Sequence, residues 1–265
     1  MSNQVLFNKD RTYLNMLSNT FSMKASSLNF ERYLCRQGDF YICSHFTKEF
    51  VGTPTIIIEG KTYYRFMKFI YLPQPPEELH TEQVIQVCDL RLNYMEKLVD
   101  VKFNSYTMET IADCIRTILT DMNPRLKTLD FGCGSGLSSQ LLLKYLPNLD
   151  IMGIDASKKA IRYCHEQDLS VMHTSPGGPF PFETASFDLI FAAFVMHFNI
   201  DMSALAELRR VLRSTGKFVF NAYARNIDRV VQRLHRAGFD SIEVWNNVHG
   251  TGVNYAIVSC GISTL

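Results

Sequence analysis

A glycine-rich turn between an apolar strand and a helix constrains this 265-residue chain more than any other feature. Residues 126–129 are mostly apolar, the segment 130–136 reads Asp-Phe-Gly-Cys-Gly-Ser-Gly, and residues 137–146 follow a helical pattern. Glycines let the backbone turn sharply and approach a ligand closely, because no Cβ intervenes. The N-terminus of the following helix offers unpaired N–H groups and the positive end of its dipole, which suits a nucleotide-like or carboxylate-bearing ligand.

The spacing of these glycines differs from that of a dinucleotide-binding turn. The dinucleotide fingerprint is G-x-G-x-x-G, but here the third glycine, Gly136, comes one residue early and Leu137 occupies its place. Asp130, directly before the turn, is not part of that fingerprint either. The sequence therefore predicts a binding loop of another kind.

Apolar strands and helices alternate along the rest of the chain. The predicted strands are 149–154, 170–173, 187–194, 216–221, 241–245 and 254–260, with helices at 202–212 and 226–238. Residues 187–194 form a nearly continuous apolar run, which is typical of a strand covered on both faces. Such alternation predicts an α/β fold with a parallel sheet. Asp155 ends the second strand, 19 residues after Gly136, where an acid can reach the paired hydroxyls of a ribose.

Four motifs in this order resemble those of class I S-adenosylmethionine-dependent methyltransferases. They are Asp130-x-Gly132-x-Gly134-x-Gly136, the acid Asp155, Phe187-Asp188-Leu189-Ile190, and the stretch from Glu207-x-x-Arg210 to Gly216. The resemblance covers residues 106–265. It implies a doubly wound, mostly parallel seven-stranded sheet with an antiparallel last strand, in which the final two strands form a hairpin at the sheet edge.

The resemblance also implies S-adenosyl-L-methionine as cofactor. The glycine loop would hold its methionine part, Asp130 would orient the loop and the cofactor's amino group, and Asp155 would take both ribose hydroxyls. The alternative for the two acids is a helix-capping or surface role. Cys133 is most simply a small residue that fits the loop. The expected cofactor-binding residues are Asp130, Gly132, Cys133, Gly134, Gly136, Asp155, Ala156, Thr174, Ser175 and Ala193.

One stretch departs from the family's pattern. After the third strand, where the family usually offers an acid near the adenine, this chain has no acid until Glu183. Thr174, Ser175 or a backbone carbonyl would contact the adenine instead. The alternative is that Thr174 and Ser175 are turn residues beside Gly and Pro.

Catalysis requires that the acceptor atom be held in line with an already activated methyl group, so neither a metal nor a metal-ligand cluster is expected. His197 follows the fourth strand at the rim where the methyl would be delivered, and its unperturbed pKa suits proton removal near neutrality. Its alternative role is packing or capping beside Phe198. Tyr223, just past the fifth strand, is a second candidate for catalysis or substrate contact.

Residues 1–105 carry no motif that indicates a function. They contain a predicted strand at 40–46, a hairpin at 55–66 that turns at Glu59-Gly60, and a helix at 77–99. We interpret them as a mixed α+β cap over the carboxyl ends of the sheet strands, followed by the methyltransferase domain at 106–265. Several aromatic residues either line an apolar pocket or build the cap's own core or a dimer contact: Tyr13, Phe21, Phe30, Tyr33, Tyr63, Tyr64, Phe66, Phe69 and Tyr71.

Composition argues against some classes of binding partner. The formal charge is +1, so no whole-chain field favours nucleic acid or a membrane surface. No apolar run reaches the roughly 18 residues of a membrane span, and the N-terminus lacks a signal-peptide core. The seven cysteines include no C-x-x-C pair, which indicates reduced thiols in a cytoplasmic protein.

The sequence favours transfer of a methyl group to an O, N or C atom of a small, partly apolar metabolite by in-line displacement. The alternatives are an RNA or protein methyltransferase, for which the locally basic residues 209–236 offer a surface, and a non-catalytic scaffold that only binds the cofactor. The sequence leaves a homodimer open.

Overall fold

The computed structural model describes residues 34–43, 55–66, 70–93, 101–119, 125–247 and 255–262. The chain divides into two compact units, Met1–Pro75 and Pro76–Leu265. The predicted strand residues 44–46 and 254, and the aromatics Tyr13, Phe21, Phe30, Tyr33 and Phe69, lie outside the described residues.

The first unit contains a five-stranded antiparallel sheet in the order β1-β2-β5-β4-β3. Its strands are β1 (Leu34–Gln37), β2 (Phe40–Cys43), β3 (Thr55–Ile58), β4 (Lys61–Phe66) and β5 (Ile70–Leu72). Strands β3 and β4 form the predicted hairpin, and Glu59 and Gly60 at its turn have φ of 49° and 77°, as a two-residue type I′ turn requires.

Two of the predicted pocket aromatics belong to this unit's own core. Tyr63 and Tyr71 are buried in a cluster with Cys43 and Ile56, and the ring of Tyr41 packs edge-on against Tyr63 with 4.9 Å between centroids. Both side chains therefore pack against other strands of the same unit. That residues 1–105 act as a cap over the active site stays a prediction.

The second unit begins with two helices and continues with alternating strands and helices. Its helices are α1 (Thr81–Asn93), α2 (Val101–Ile118), α3 (Leu137–Tyr145), α4 (Lys158–His165), α5 (Met202–Val211) and α6 (Ile227–Arg236). Its strands are β6 (Leu126–Phe131), β7 (Leu149–Asp155), β8 (Val171–His173), β9 (Phe187–Ala192), β10 (Leu212–Tyr223), β11 (Asp240–Asn247) and β12 (Tyr255–Gly261). None of the helices in the described part of the chain is long and apolar enough to cross a membrane.

The seven strands of this unit form one sheet in the order β11-β12-β10-β9-β6-β7-β8. Strands β6 to β10 pair in parallel, whereas β12 runs antiparallel to both β10 and β11. This confirms the predicted doubly wound sheet with its antiparallel last strand and edge hairpin.

Each face of the sheet is buried under helices. On β9, Ile190 packs in one core cluster with residues of α5 and α6, while Leu189 and Phe191 pack in the other with residues of α2 and α3. Both faces of β9 are therefore dry, which explains its continuous apolar sequence. Strand order reverses at β6, which lies between β9 and β7. Open α/β sheets bind ligands at the carboxyl ends of the strands at such a reversal.

Candidate active site

A cleft that is open to solvent lies at this reversal. Its volume, including the space at its mouth, is about 1080 Å³. It brings together segments that are far apart in sequence: the loop after β6, the ends of β7 and β8, and residues 193–201 after β9. Seven of the predicted cofactor residues line it, namely Gly132, Gly134, Asp155, Ala156, Thr174, Ser175 and Ala193. Asp130, Cys133 and Gly136 are not among the described residues that line it.

The glycine loop is held in a backbone conformation that other residues rarely adopt. Gly132 has a φ of 73°, and a Cβ there would come within 2.7 Å of Val195 Cγ2, so only glycine fits without displacement. The amides of Gly132 and Cys133 both donate to the carbonyl of Ile154, at 2.8 and 3.0 Å. At Gly134, with a φ of 54°, a Cβ would meet no atom within 4 Å. Gly134 therefore leaves open space at the cleft, where a ligand can touch the backbone.

Asp130 lies beneath this loop at the end of β6 and is only 1% exposed. Its Oδ2 accepts a hydrogen bond of 2.6 Å from Ser139 Oγ on α3, while its Oδ1 accepts none from the described residues. Burial raises the pKa of Asp130 to about 7, against the opposing effect of the Ser139 hydrogen bond. A buried carboxylate oxygen with no donor suits a cationic ligand group that brings its own N–H donors.

Asp155 joins the glycine loop to the start of α4. Its Oδ2 accepts from the Gly134 amide at 2.9 Å, and its Oδ1 accepts from the Ser157 amide at 2.7 Å. Burial raises the pKa of Asp155, and these two backbone hydrogen bonds oppose that rise. Each carboxylate oxygen retains acceptor capacity, so both can still accept from a pair of hydroxyls.

The capping alternative for the two acids does not match the helix ends. The N-cap of α3 is Gly136, and the N-cap of α4 is Ser157, whose Oγ accepts from the Ala160 amide at 2.9 Å. Neither Asp130 nor Asp155 occupies an N-cap position.

The far end of the cleft is formed by residues after β8. Thr174 is buried, its amide donates to the Asp155 carbonyl at 3.0 Å, and it lines the cleft together with Ser175. The rings of Phe131 and Phe180 lie 5.9 Å apart and form an apolar wall there.

The Glu207-x-x-Arg210 motif on α5 holds this wall in place. Glu207 Oε2 accepts from the Phe180 amide at 2.6 Å, and Arg210 donates to the carbonyls of Phe180 and Phe182 at 3.1 and 2.8 Å. Glu207 and Arg210 also pair with each other at 2.7 Å. This motif therefore fixes the segment after β8 rather than contacting the cleft itself.

The rings of the two predicted catalytic residues, His197 and Tyr223, pack against each other at a tilted angle of 48°. The ring centroid of His197 lies 4.8 Å from that of Tyr223 and 4.1 Å from that of Phe198. Phe198 lines the cleft, whereas His197 and Tyr223 are not among the described residues that do so. Burial, together with the charges of Arg225 and Arg91, lowers the pKa of His197 to about 3. Burial raises the pKa of Tyr223, so both side chains are neutral near pH 7.

The wall of the cleft contains a strained residue. Phe194, directly beyond β9, has a φ of 62°, which is unusual for a bulky side chain and costs about 1–3 kcal/mol. Its amide donates to Oδ1 of the buried Asn221 on β10 at 2.7 Å, and its ring lines the cleft. The strain places an aromatic face at the carboxyl end of the central strand.

Helix α1 supplies a further wall that the sequence interpretation did not include in the site. Its cleft-lining residues are Thr81, Val84, Ile85, Cys88, Arg91 and Leu92, which lie on one helical face. Each is half-buried. The spacing of apolar residues in this segment predicted the helix. The same apolar face was the sequence feature that could have assigned α1 to the wall of the cleft.

Comparison with known proteins agrees with this geometry. Residues 129–220 match the model of the family described as "Methyltransferase domain". Malonyl-[acyl-carrier protein] O-methyltransferase of Herminiimonas arsenicoxydans is 28% identical over 143 residues, covering 45% of this chain and 55% of the relative. Demethylmenaquinone methyltransferase of Thermotoga maritima is 34% identical over 105 residues, covering 38% of this chain and 45% of the relative. The chain thus spans about half the length of these two relatives.

A solved structure shares the fold. The TehB-like SAM-dependent methyltransferase of Corynebacterium glutamicum has a TM-score of 0.50 and 20% identity, and the match covers 69% of this chain and all of that one. Residues 129–220 thus match a methyltransferase domain, and the seven-stranded sheet that contains them has the fold of a SAM-dependent methyltransferase. Both findings agree with what the motifs predicted.

Proposed function

We propose that the protein binds S-adenosylmethionine in the cleft and transfers its methyl group to a small, partly apolar acceptor. The observation that carries this proposal is the convergence of the Gly134 opening, the donor-free Oδ1 of Asp130 and the Asp155 carboxylate at one cleft. The Gly134 opening corresponds to the methionine part of the cofactor, Asp130 to the ammonium group on that part, and Asp155 to the ribose.

The residues of the cleft fit the cofactor as follows. Gly132 and Gly134 would lie against the methionine part, Asp130 would accept from the ammonium group, and Asp155 would accept from the ribose hydroxyls. Thr174 and Ser175 are placed to contact the adenine. When bound, the cofactor supplies a methyl group on a positively charged sulfur, which is already activated for displacement.

The chain's own contribution to transfer is to position the acceptor and to exclude water. Phe194, Val195 and Phe198 after β9, with Val84 and Ile85 on α1, provide an apolar enclosure for an acceptor. Positioning of this kind contributes about 7–11 kcal/mol to lowering a bimolecular barrier. The two relatives act, by their names, on a malonyl group attached to a carrier protein and on demethylmenaquinone. Those names support an acceptor of carboxylate or quinone type.

The test is calorimetric titration of the purified protein with S-adenosylmethionine, S-adenosylhomocysteine and a nicotinamide dinucleotide. We expect micromolar binding of the first two and none of the third. Binding of the dinucleotide with equal affinity, or of none of the three, would contradict the proposal. A methyl-acceptor screen with carboxylic acids and quinones then follows, with S-adenosylhomocysteine formation as the readout.

His197 is a neutral, buried ring beside the cleft. Replacing it by glutamine tests whether the buried imidazole is neutral. Its folded pKa of about 3 lies below the usual value of 6.5, so the stability that depends on neutral His197 is present above pH 6.5 and is lost as pH falls toward 3. The loss amounts to about 1.4 kcal/mol per pH unit. Relative to wild type, His197→Gln should therefore gain roughly 2 kcal/mol between pH 7.5 and 5.

Urea unfolding of wild type and His197→Gln at both pH values measures this difference. The exposed His165 on α4 is the matched control, and His165→Gln should leave the pH dependence unchanged. Equal pH dependence in wild type and His197→Gln would show that His197 titrates normally and is available as a general base.

A further inference from the structure

Arg91 is a cation on the cleft face of α1, and none of the described residues forms an ion pair with it. It is half-buried and lines the cleft three residues after Cys88. Among the described residues, it has neither an ion pair nor a hydrogen bond. Burial lowers the pKa of Arg91, with attraction from Cys88 and Asp155 opposing that effect. An arginine keeps its charge at neutral pH even so.

The two acids near Arg91 bond to other groups. Asp89 accepts a short hydrogen bond from Ser157 Oγ. Asp155, whose charge acts on Arg91, accepts a backbone amide at each of its carboxylate oxygens and makes no ion pair with Arg91. A ligand that fills the cleft would take the half-buried Arg91 guanidinium out of water, which is costly without a partner. A negative group on the ligand would supply that partner.

The position of Arg91 is set by attachments at both ends of α1. The Thr81–Asp201 bond attaches the start of the helix to the loop after β9. Near the other end, Asp89 contacts Ser157, and Lys159 Nζ donates to the Asp89 carbonyl at 3.2 Å. The cleft that α1 lines is the one lined by Gly132 and Gly134 of the glycine loop. From there the charge of Arg91 acts on both Asp155 and His197.

We propose that Arg91 is the carboxylate-binding residue of this cleft. The inference rests on the proposed function and extends it by naming the ligand group that α1 recognises. Two carboxylates are candidates for this group: the one on the amino-acid part of the cofactor, and one on the methyl acceptor. A planar guanidinium binds either through two parallel N–H···O bonds, which a lysine cannot reproduce.

The first experiment compares S-adenosylmethionine with decarboxylated S-adenosylmethionine, which keeps the sulfonium and the amine and lacks only the carboxylate. If the cofactor is the source, Arg91→Met should weaken binding of the former about 10- to 100-fold and leave the latter within about twofold. Arg91→Lys should fall between Arg91→Met and wild type. Arg162→Met on α4, which removes an exposed arginine, is the matched control and should bind both like wild type.

The second experiment tests the acceptor as the source. With S-adenosylhomocysteine saturating, 3-phenylpropanoate and its methyl ester are titrated into wild type and Arg91→Met. Preference of wild type for the acid, lost in Arg91→Met, assigns the carboxylate to the acceptor. Unchanged binding of every probe in a folded Arg91→Met, as judged by its thermal unfolding, overturns the role of Arg91 while leaving the proposed function intact. Failure of wild type to bind S-adenosylmethionine would instead overturn the proposed function.

Discussion

Asp130→Asn should stabilise the ligand-free protein at pH 8 by about 2–4 kcal/mol and at the same time weaken its binding of S-adenosylmethionine. The folded pKa of about 7 lies above the value near 3.9 of an exposed aspartate. Protons therefore favour the folded state, and the ionised carboxylate lowers stability progressively as pH rises from about 4 to 7. An asparagine keeps the shape and the bond from Ser139 without the buried charge.

Urea unfolding at pH 8 and pH 4.5 measures this effect. The gain should appear at pH 8 and nearly vanish at pH 4.5, where Asp130 of the folded protein is already neutral. Asp150→Asn is the matched control, because Asp150 is exposed and makes only a long ion pair with Arg125. A gain of equal size at both pH values would show that the charge of Asp130 is not its cause.

The same substitution also tests how the charge of Asp130 affects cofactor binding. The cofactor brings two positive charges, which favour the ionised form of Asp130, so binding below pH 7 is expected to release a proton. Affinity of wild type should then fall by up to about tenfold per pH unit below 7. In Asp130→Asn the affinity should depend less on pH. Titration calorimetry in buffers of different ionisation enthalpy measures the number of protons released on binding. A pH dependence that persists in Asp130→Asn would assign the proton to another group.

Asp155→Ala should lower cofactor affinity about 100-fold or more. Two hydrogen bonds from ribose hydroxyls to a charged group contribute roughly 1.5–3 kcal/mol each. The substitution also removes the acceptor that holds the Gly134 amide, so the glycine loop loses part of its support. Asp155→Asn retains one acceptor oxygen and should give an intermediate loss.

Calorimetric titration with S-adenosylhomocysteine checks this expectation, with Asp168→Asn as control. Asp168 is exposed and has a φ of 55°, a conformation that asparagine tolerates well. Wild-type affinity in a folded Asp155→Ala would refute the assignment of Asp155 to the ribose.

The sheet was predictable because its determinants are local. The apolar run of β9, the turn glycines and the acid at the end of β7 each identify their element within about ten residues, and the order of the elements then fixes the topology. The ends of some elements differ from the predicted ones by a few residues; β10, for example, begins at Leu212 rather than at residue 216.

Other parts of the site depend on contacts between distant segments. The sequence placed the domain division at 105/106, whereas the compact units divide after Pro75. Thr81 meets Asp201 across 120 positions, and Asp89 meets Ser157 across 68. No periodicity encodes such pairs. The helix at 77–99 was assigned to a cap over the carboxyl ends of the strands, but the residues of α1 that line the cleft, Arg91 among them, were not predicted. The pKa of His197 likewise depends on burial that its neighbours in sequence do not reveal.

The attachments of α1 also bear on how quickly ligands exchange. Besides the burial of Val87, a few hydrogen bonds near its two ends hold α1, and those to the carboxylates of Asp201 and Asp89 contribute about 1.5–3 kcal/mol each. The sheet beneath it is a cooperative core, for which unfolding a whole domain costs about 5–15 kcal/mol. Detachment of α1 is therefore a local opening that leaves the sheet intact. Ligand residence time can thus be adjusted at Thr81 and Asp89 without changing the residues that hold the cofactor.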